Sequence, residues 1–182
     1  MNTEKDHGGT VTRIREMFNQ ARAFCLASAL LRTTNGNDRY PIDDSDRISL
    51  YLVATTNLAF SIELFLKCLI LIETQKPTTG HDLGVLYSKL SPNTQSKIES
   101  EFNKLYLNSA ALKTLPDKAM KLHTIQEVLE TNSNTFEKYR YFYERGLKHG
   151  QGNMGLGEIA QALQIVISQI DPTATTFRYQ KE

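Results

Sequence analysis

Ionic and aromatic side chains crowd the run from Phe136 to Gly150, where Arg140, Glu144, Arg145, Lys148 and His149 stand among Tyr139, Tyr141, Phe142 and Tyr143. Cations grip phosphates, rings stack on bases, and histidine moves protons near neutral pH, so this segment has the parts to hold a phosphodiester. On a helix Arg140 and Glu144 share one face. Arg145 and His149 share the neighbouring face if the helix continues through Gly146. The plainer reading is an amphipathic helix whose tyrosines face a core and whose charges are solvated. A second group is Glu63 with Lys67, one turn apart on a narrow face that also holds Thr56 and Thr74. An acid placed one turn ahead of a base is the favourable order for an intrahelical salt bridge where a helix reaches the surface. Alternatively the pair lies beneath a cleft and orients an arginine of another helix, because a partly buried charge needs a partner. A third group, His81-Asp82 after Gly80, reads as a cap that satisfies free amides at the start of a short helix.

The common catalytic signatures are missing from the sequence. It carries no Gly-rich phosphate loop, no nucleophile elbow, no paired zinc-ligand motif and no Ser, His and Asp grouping. Cys25 and Cys68 each sit inside an apolar helical stripe and are expected to pack as small hydrophobes, so neither a metal nor a cofactor is expected. The formal net charge of +1 gives no global attraction for nucleic acid or an anionic membrane, so any such partner must be gripped locally. The N-terminal residues lack the basic-then-apolar layout of a secretory signal, and unbroken apolar runs stop short of the roughly 18 residues that span a bilayer. A soluble, cytoplasmic chain is expected.

The elements that must position these residues are helices. From Ser45 to Gln75 the chain is apolar on nearly every side: Tyr51, Leu58, Ile62, Phe65, Leu69 and Ile72 recur at helical spacing, and Phe60, Leu64, Cys68 and Leu71 cover a second face. Such a helix must be surrounded, which makes it the central post of a bundle. Val11, Ile14, Phe18, Ala21 and Cys25 mark a helix from Thr10 to Arg32 that faces it. Turn residues fill Thr33 to Asp46, and the post, capped within Asp44 to Asp46, stops near Lys76-Pro77 because the residue before proline avoids helical angles.

A short helix follows from Asp82 to Leu90, and Ser91-Pro92 opens another with the stripe Ile98, Phe102 and Leu105. Asn108 to Leu122 has no clear period and reads as a loop or as a turn or two of helix. Thr124 and Glu127 form a capping box for an aromatic-rich helix running toward Arg145. Leu156, Ile159, Leu163, Val166 and Ile170 form a last helix ended by Asp171-Pro172. The expected fold is all-α, an antiparallel bundle of four long helices plus two shorter ones in a single domain over residues 1–182, with 1–9 and 173–182 as frayed tails.

The string from Asn57 through Glu63 to Lys67, then His81-Asp82-Leu83 with Leu86, Tyr87 and Leu90, then Phe136 through Arg140-Tyr141 to Glu144, resembles the HEPN (higher eukaryotes and prokaryotes nucleotide-binding) superfamily. The likeness spans Leu50 to Gly150 and points to bacterial members with Glu and Lys on one long helix and Arg-Tyr followed by Glu on a later one. It implies a helical bundle that often dimerises. Many members of that group are metal-independent ribonucleases in toxin–antitoxin or phage-defence systems, with an Arg and a His on each of two copies facing across the dimer. In that pattern the gap is wider than the three residues between Arg145 and His149 and narrower than the eight between Arg140 and His149.

This departure favours binding over cleavage. The reading is therefore an HEPN-like module for RNA, a nucleotide or a cognate partner protein, with Arg140, Tyr141, Glu144 and Lys148 as binding residues and Glu63 with Lys67 as a supporting polar pair. The alternative is an RNA endonuclease working by transesterification. His149 would then act as base or acid, and Arg145 or Arg140 would steady the charge developing on the phosphate. A structural adaptor without ligand is the third reading. Surplus Tyr and Phe on the aromatic helix make a homodimer the expected assembly.

Overall fold

The computed structural model describes residues 5–34, 41–109, 124–133 and 155–175. Among them are six α-helices and no strand: α1 (Lys5–Thr33), α2 (Asp44–Thr74), α3 (Leu83–Ser88), α4 (Pro92–Leu107), α5 (Ile125–Asn132) and α6 (Leu156–Ile170), followed by a 3₁₀ turn at Pro172–Thr175.

The post expected over Ser45–Gln75 is α2, displaced by one residue. Asp43 is its N-cap: the Asp43 carboxylate accepts from the Asp46 amide at 2.8 Å, and the Asp46 carboxylate accepts from the Asp43 amide at 3.2 Å. Those two bonds satisfy amides that the first turn leaves open. At the other end Gln75 takes left-handed angles (φ 56°) and its amide reaches Leu71 O, which closes the helix ahead of Lys76-Pro77.

From Leu58 onward α2 is enclosed as its composition requires. Leu58, Ile62, Phe65, Leu66, Cys68, Leu69 and Leu71 are all buried, each aliphatic or aromatic one contributing about 1.5–3 kcal/mol by leaving water. The N-terminal turns differ, because Ile48, Tyr51 and Val53 remain about half exposed. By length and composition α2 could cross a membrane, yet 67% of its apolar window is buried inside the protein, and that surface is spent on neighbouring helices.

The α1 and α2 helices run antiparallel. Cys68 Sγ meets Ile14 O at 3.7 Å, the Phe18 and Phe65 rings lie 5.5 Å apart, Phe24 and Phe60 5.6 Å, and Arg32 stands over Tyr51. As one number rises the other falls. Against α2 pack α6 and α3; α6 also meets α4 and α5, and the 3₁₀ turn closes on α1. Helix α1 begins at Lys5, earlier than the Thr10 its apolar stripe marks, since Lys5 to Gly9 carry no apolar signal.

The helix opened by Ser91-Pro92 runs through Leu107, in line with its stripe to Leu105, whereas the helix capped by Thr124, expected to run toward Arg145, spans Ile125–Asn132. Its last turn is tightened by Ser133, whose amide bonds Glu130 O at 3.3 Å and whose hydroxyl bonds Leu129 O at 3.0 Å. The aromatic stripe from Phe136 to Tyr143, and residues 110–123, lie outside the described residues.

Candidate functional site

Glu63 is the point where the described polar side chains converge. It sits on the enclosed half of α2 with only 8% of its surface exposed, between Ile62 and Leu66, which are fully buried. Lys67, one turn later, places Nζ 2.7 Å from Glu63 Oε1, and 15% of the Lys67 side chain is exposed. The same oxygen receives His81 Nδ1 at 3.0 Å. A carboxylate withdrawn from water needs cationic or N–H partners, and two elements supply them.

His81 is brought there by the loop between α2 and α3. Pro77 follows the left-handed Gln75, and Gly80 takes φ 100°, an angle that glycine adopts without strain. Lys89 pins the loop from α3's end, donating to Thr78 Oγ1 at 3.1 Å. Asp82 then caps α3 by accepting from the Val85 amide at 2.9 Å, and it also accepts the Ser133 hydroxyl at 3.1 Å. Of the pair read as a cap, Asp82 alone plays that part. His81 turns away to Glu63.

This geometry orients an imidazole. The bond to Glu63 requires a proton on Nδ1, which in the neutral ring leaves Nε2 as an acceptor. The His81 side chain is 82% exposed, so a buried acid fixes the direction of a ring that solvent and solutes reach.

Glu63 and Lys67 thus form the intrahelical pair that their spacing suggests, but an almost buried one with a third member. Arg140, Tyr141, Glu144, Arg145, Lys148 and His149 lie outside the described residues.

Two further polar arrangements escaped the sequence reading. Glu73, near the end of α2, accepts the Ser91 hydroxyl at 2.6 Å and the Ser91 amide at 3.0 Å. Burial pushes the Glu73 carboxyl up, but hydrogen bonds from Ser91 and Thr94 together outweigh it and hold it below the usual value. Tyr87 donates to Glu99 at 3.2 Å across α3 and α4. Neither partner is named by a local spacing, so no sequence signal marks them. Among the described residues no three His, Cys, Asp or Glu side chains are grouped to hold a metal ion.

Comparison of the chain with family models, with curated proteins and with solved structures gives no match.

Proposed function

We propose that this chain is an HEPN-like helical module that binds RNA or a nucleotide, or docks a cognate partner protein, in a phage-defence or toxin–antitoxin setting. The observation that carries the reading is the meeting of His81 with Glu63 and Lys67. These residues come from two separate stretches of the resemblance, and they share one carboxylate oxygen. The third stretch, Phe136 to Glu144, lies outside the described residues. Among the described residues, helix lengths of 29, 31, 16 and 15 residues for α1, α2, α4 and α6, against 6 and 8 for α3 and α5, are in keeping with a bundle of four long and two short helices.

On this proposal Arg140, Arg145 and Lys148 hold phosphates, Tyr141 stacks on a base, and Glu144 orients an arginine. The second reading, a metal-independent endoribonuclease, is favoured by His81. Its acid-oriented imidazole is the arrangement a general base needs, and it would serve beside Arg145 and His149. The protein is proposed to act as a cytoplasmic homodimer, which a light-scattering mass of one chain would overturn.

The test is RNA binding by fluorescence anisotropy together with a cleavage assay in chelator. Binding that weakens several-fold in Arg140→Ala and Lys148→Ala, without cleavage, supports the binding module. Cleavage lost in Arg145→Ala and His149→Ala supports the nuclease. Equal behaviour of all variants and the parent removes both site assignments.

A further inference from the structure

At the loop end of the α1–α2 pair lies a cleft of about 320 Å³ lined by Leu31, Arg32, Thr34, Arg47, Leu50 and Tyr51. Among the described residues that line it, two are arginines and none is an acid. Both arginines are exposed, and neither takes part in an ion pair among the described residues. Nearby Asp43 and Asp46 are occupied in capping α2, each carboxylate accepting from the other's amide.

Arg32 is already set for use. Its guanidinium carbon lies 5.4 Å from the centroid of the Tyr51 ring, within the range at which an aromatic π-system attracts a cation. A guanidinium held by a ring still has N–H groups for an acceptor, and its planar fork matches phosphate oxygens. Arg47 supplies a second fork from the first turns of α2, while Leu31 and Leu50 provide an apolar wall.

We infer that this cleft binds a phosphate monoester carried on a flat organic body, namely a nucleoside monophosphate, either free or as the phosphorylated end of an RNA strand. Charge selects the monoester: two guanidinium cations balance the charge of about −1.5 to −2 that it bears at neutral pH, whereas a carboxylate offers half of that. Size selects the body, because the volume falls at the small end of the roughly 300–1,000 Å³ of ligand sites and suits one nucleotide rather than a duplex. The inference goes beyond the function proposed above, uses none of its residues and does not rest on it.

The experiment is isothermal titration of the full chain with adenosine monophosphate, adenosine and inorganic phosphate, and with a short oligoribonucleotide bearing either a 5′-phosphate or a 5′-hydroxyl. Adenosine monophosphate is expected to bind more tightly than inorganic phosphate, and adenosine not to bind. Arg32→Gln and Arg47→Gln are each expected to weaken binding about tenfold or more, with unchanged melting temperatures because both side chains are exposed. Tyr51→Leu is expected to weaken phosphate and nucleotide alike, since it frees Arg32. Lys104→Ala, an exposed cation on α4, leaves binding unchanged. If the 5′-phosphorylated strand binds through the arginines and the free nucleotide does not, the ligand is an RNA end; the reverse identifies a free nucleotide. Failure of both to bind in an Arg32- and Arg47-dependent way overturns the site, as does equal binding of adenosine and its monophosphate.

Discussion

His81 Nδ1 lies 3.0 Å from Glu63 Oε1, the oxygen that Lys67 Nζ also meets at 2.7 Å. The two partners differ in what they lose if the acid goes. Lys67 would keep its charge on a side chain only 15% exposed, while the His81 side chain, 82% exposed, would be rehydrated at little cost. Glu63→Ala is therefore expected to destabilise the fold by about 2–4 kcal/mol, and His81→Ala by less than about 1 kcal/mol. Chemical denaturation of the two variants checks this. A Glu63→Ala loss as small as that of His81→Ala would mean that the carboxylate is not the anchor of the cluster.

Glu73 gives a pH dependence with a definite sign. Its folded-state pKa lies below the ordinary 4.5 because hydrogen bonds from Ser91 and Thr94 outweigh burial. A depressed carboxylate pKa contributes stability that is fully present above the unfolded value and is lost as pH falls through the folded one. Glu73→Gln is expected to cost about 1–2 kcal/mol at neutral pH, with the gap to the parent closing below pH ~4. Denaturation midpoints of both proteins across the acid range measure the gap. A difference that stays constant with pH rules out the ionised Glu73 as the cap on Ser91.

How much of this could be read from residue order depends on the range of each interaction. The α2 helix was readable because its signals are local: the apolar residues recur within a turn, an acid caps it, although at Asp43, one residue ahead of the expected Asp44 to Asp46, and Lys76-Pro77 stops it. So were the cap at Ser91 and the capping box at Thr124, each closed within three residues. His81 was misread for the opposite reason. It bonds an acid 18 positions away through a loop whose path is set by Gln75 and Gly80 at positive φ, and no spacing rule spans that distance. The same holds for Ser133 reaching Asp82 across 51 positions and for the Arg32–Tyr51 contact across the α1–α2 loop. The helix capped by Thr124 is the other departure: its hydrophobic period carries on toward Arg145, and the element closes at Asn132 with Ser133 as its C-cap.

Acids held neutral in the core predict an alkaline limit. Burial, and then the Asp171 charge, pushes the Cys68 thiol up to about 12; burial, and then Glu99, pushes Tyr87 up; burial, and then Glu158, raises Tyr106. A raised folded-state pKa contributes stability present below the unfolded value and lost as pH rises beyond it. The denaturation midpoint is therefore expected to fall progressively above pH ~9. At neutral pH an aromatic disulfide reagent should modify Cys25 slowly and Cys68 only on unfolding, because the thiolate is the reacting form. Rapid reaction of two thiols in the native protein would contradict the burial of Cys68.

Gly155 and Gly157 stand at the start of α6 and should respond to alanine in opposite directions. Gly155 caps the helix at φ 90°, and a Cβ there would meet Val128 Cγ2 at 3.4 Å and Phe102 Cε2 at 3.5 Å. Those distances are ordinary contacts, so the penalty comes from the backbone angle, which an L side chain resists by about 1–2 kcal/mol. Gly157 lies inside the helix with nothing within 4 Å of the same position. Alanine at 157 removes conformational freedom from the unfolded chain and meets no obstacle in the folded one, for a gain of about 0.5–1 kcal/mol. Thermal melts of Gly155→Ala and Gly157→Ala should shift down and up respectively. If both fall, the start of α6 lies elsewhere than at Leu156, and with it the packing of Gly155 between Val128 and Phe102.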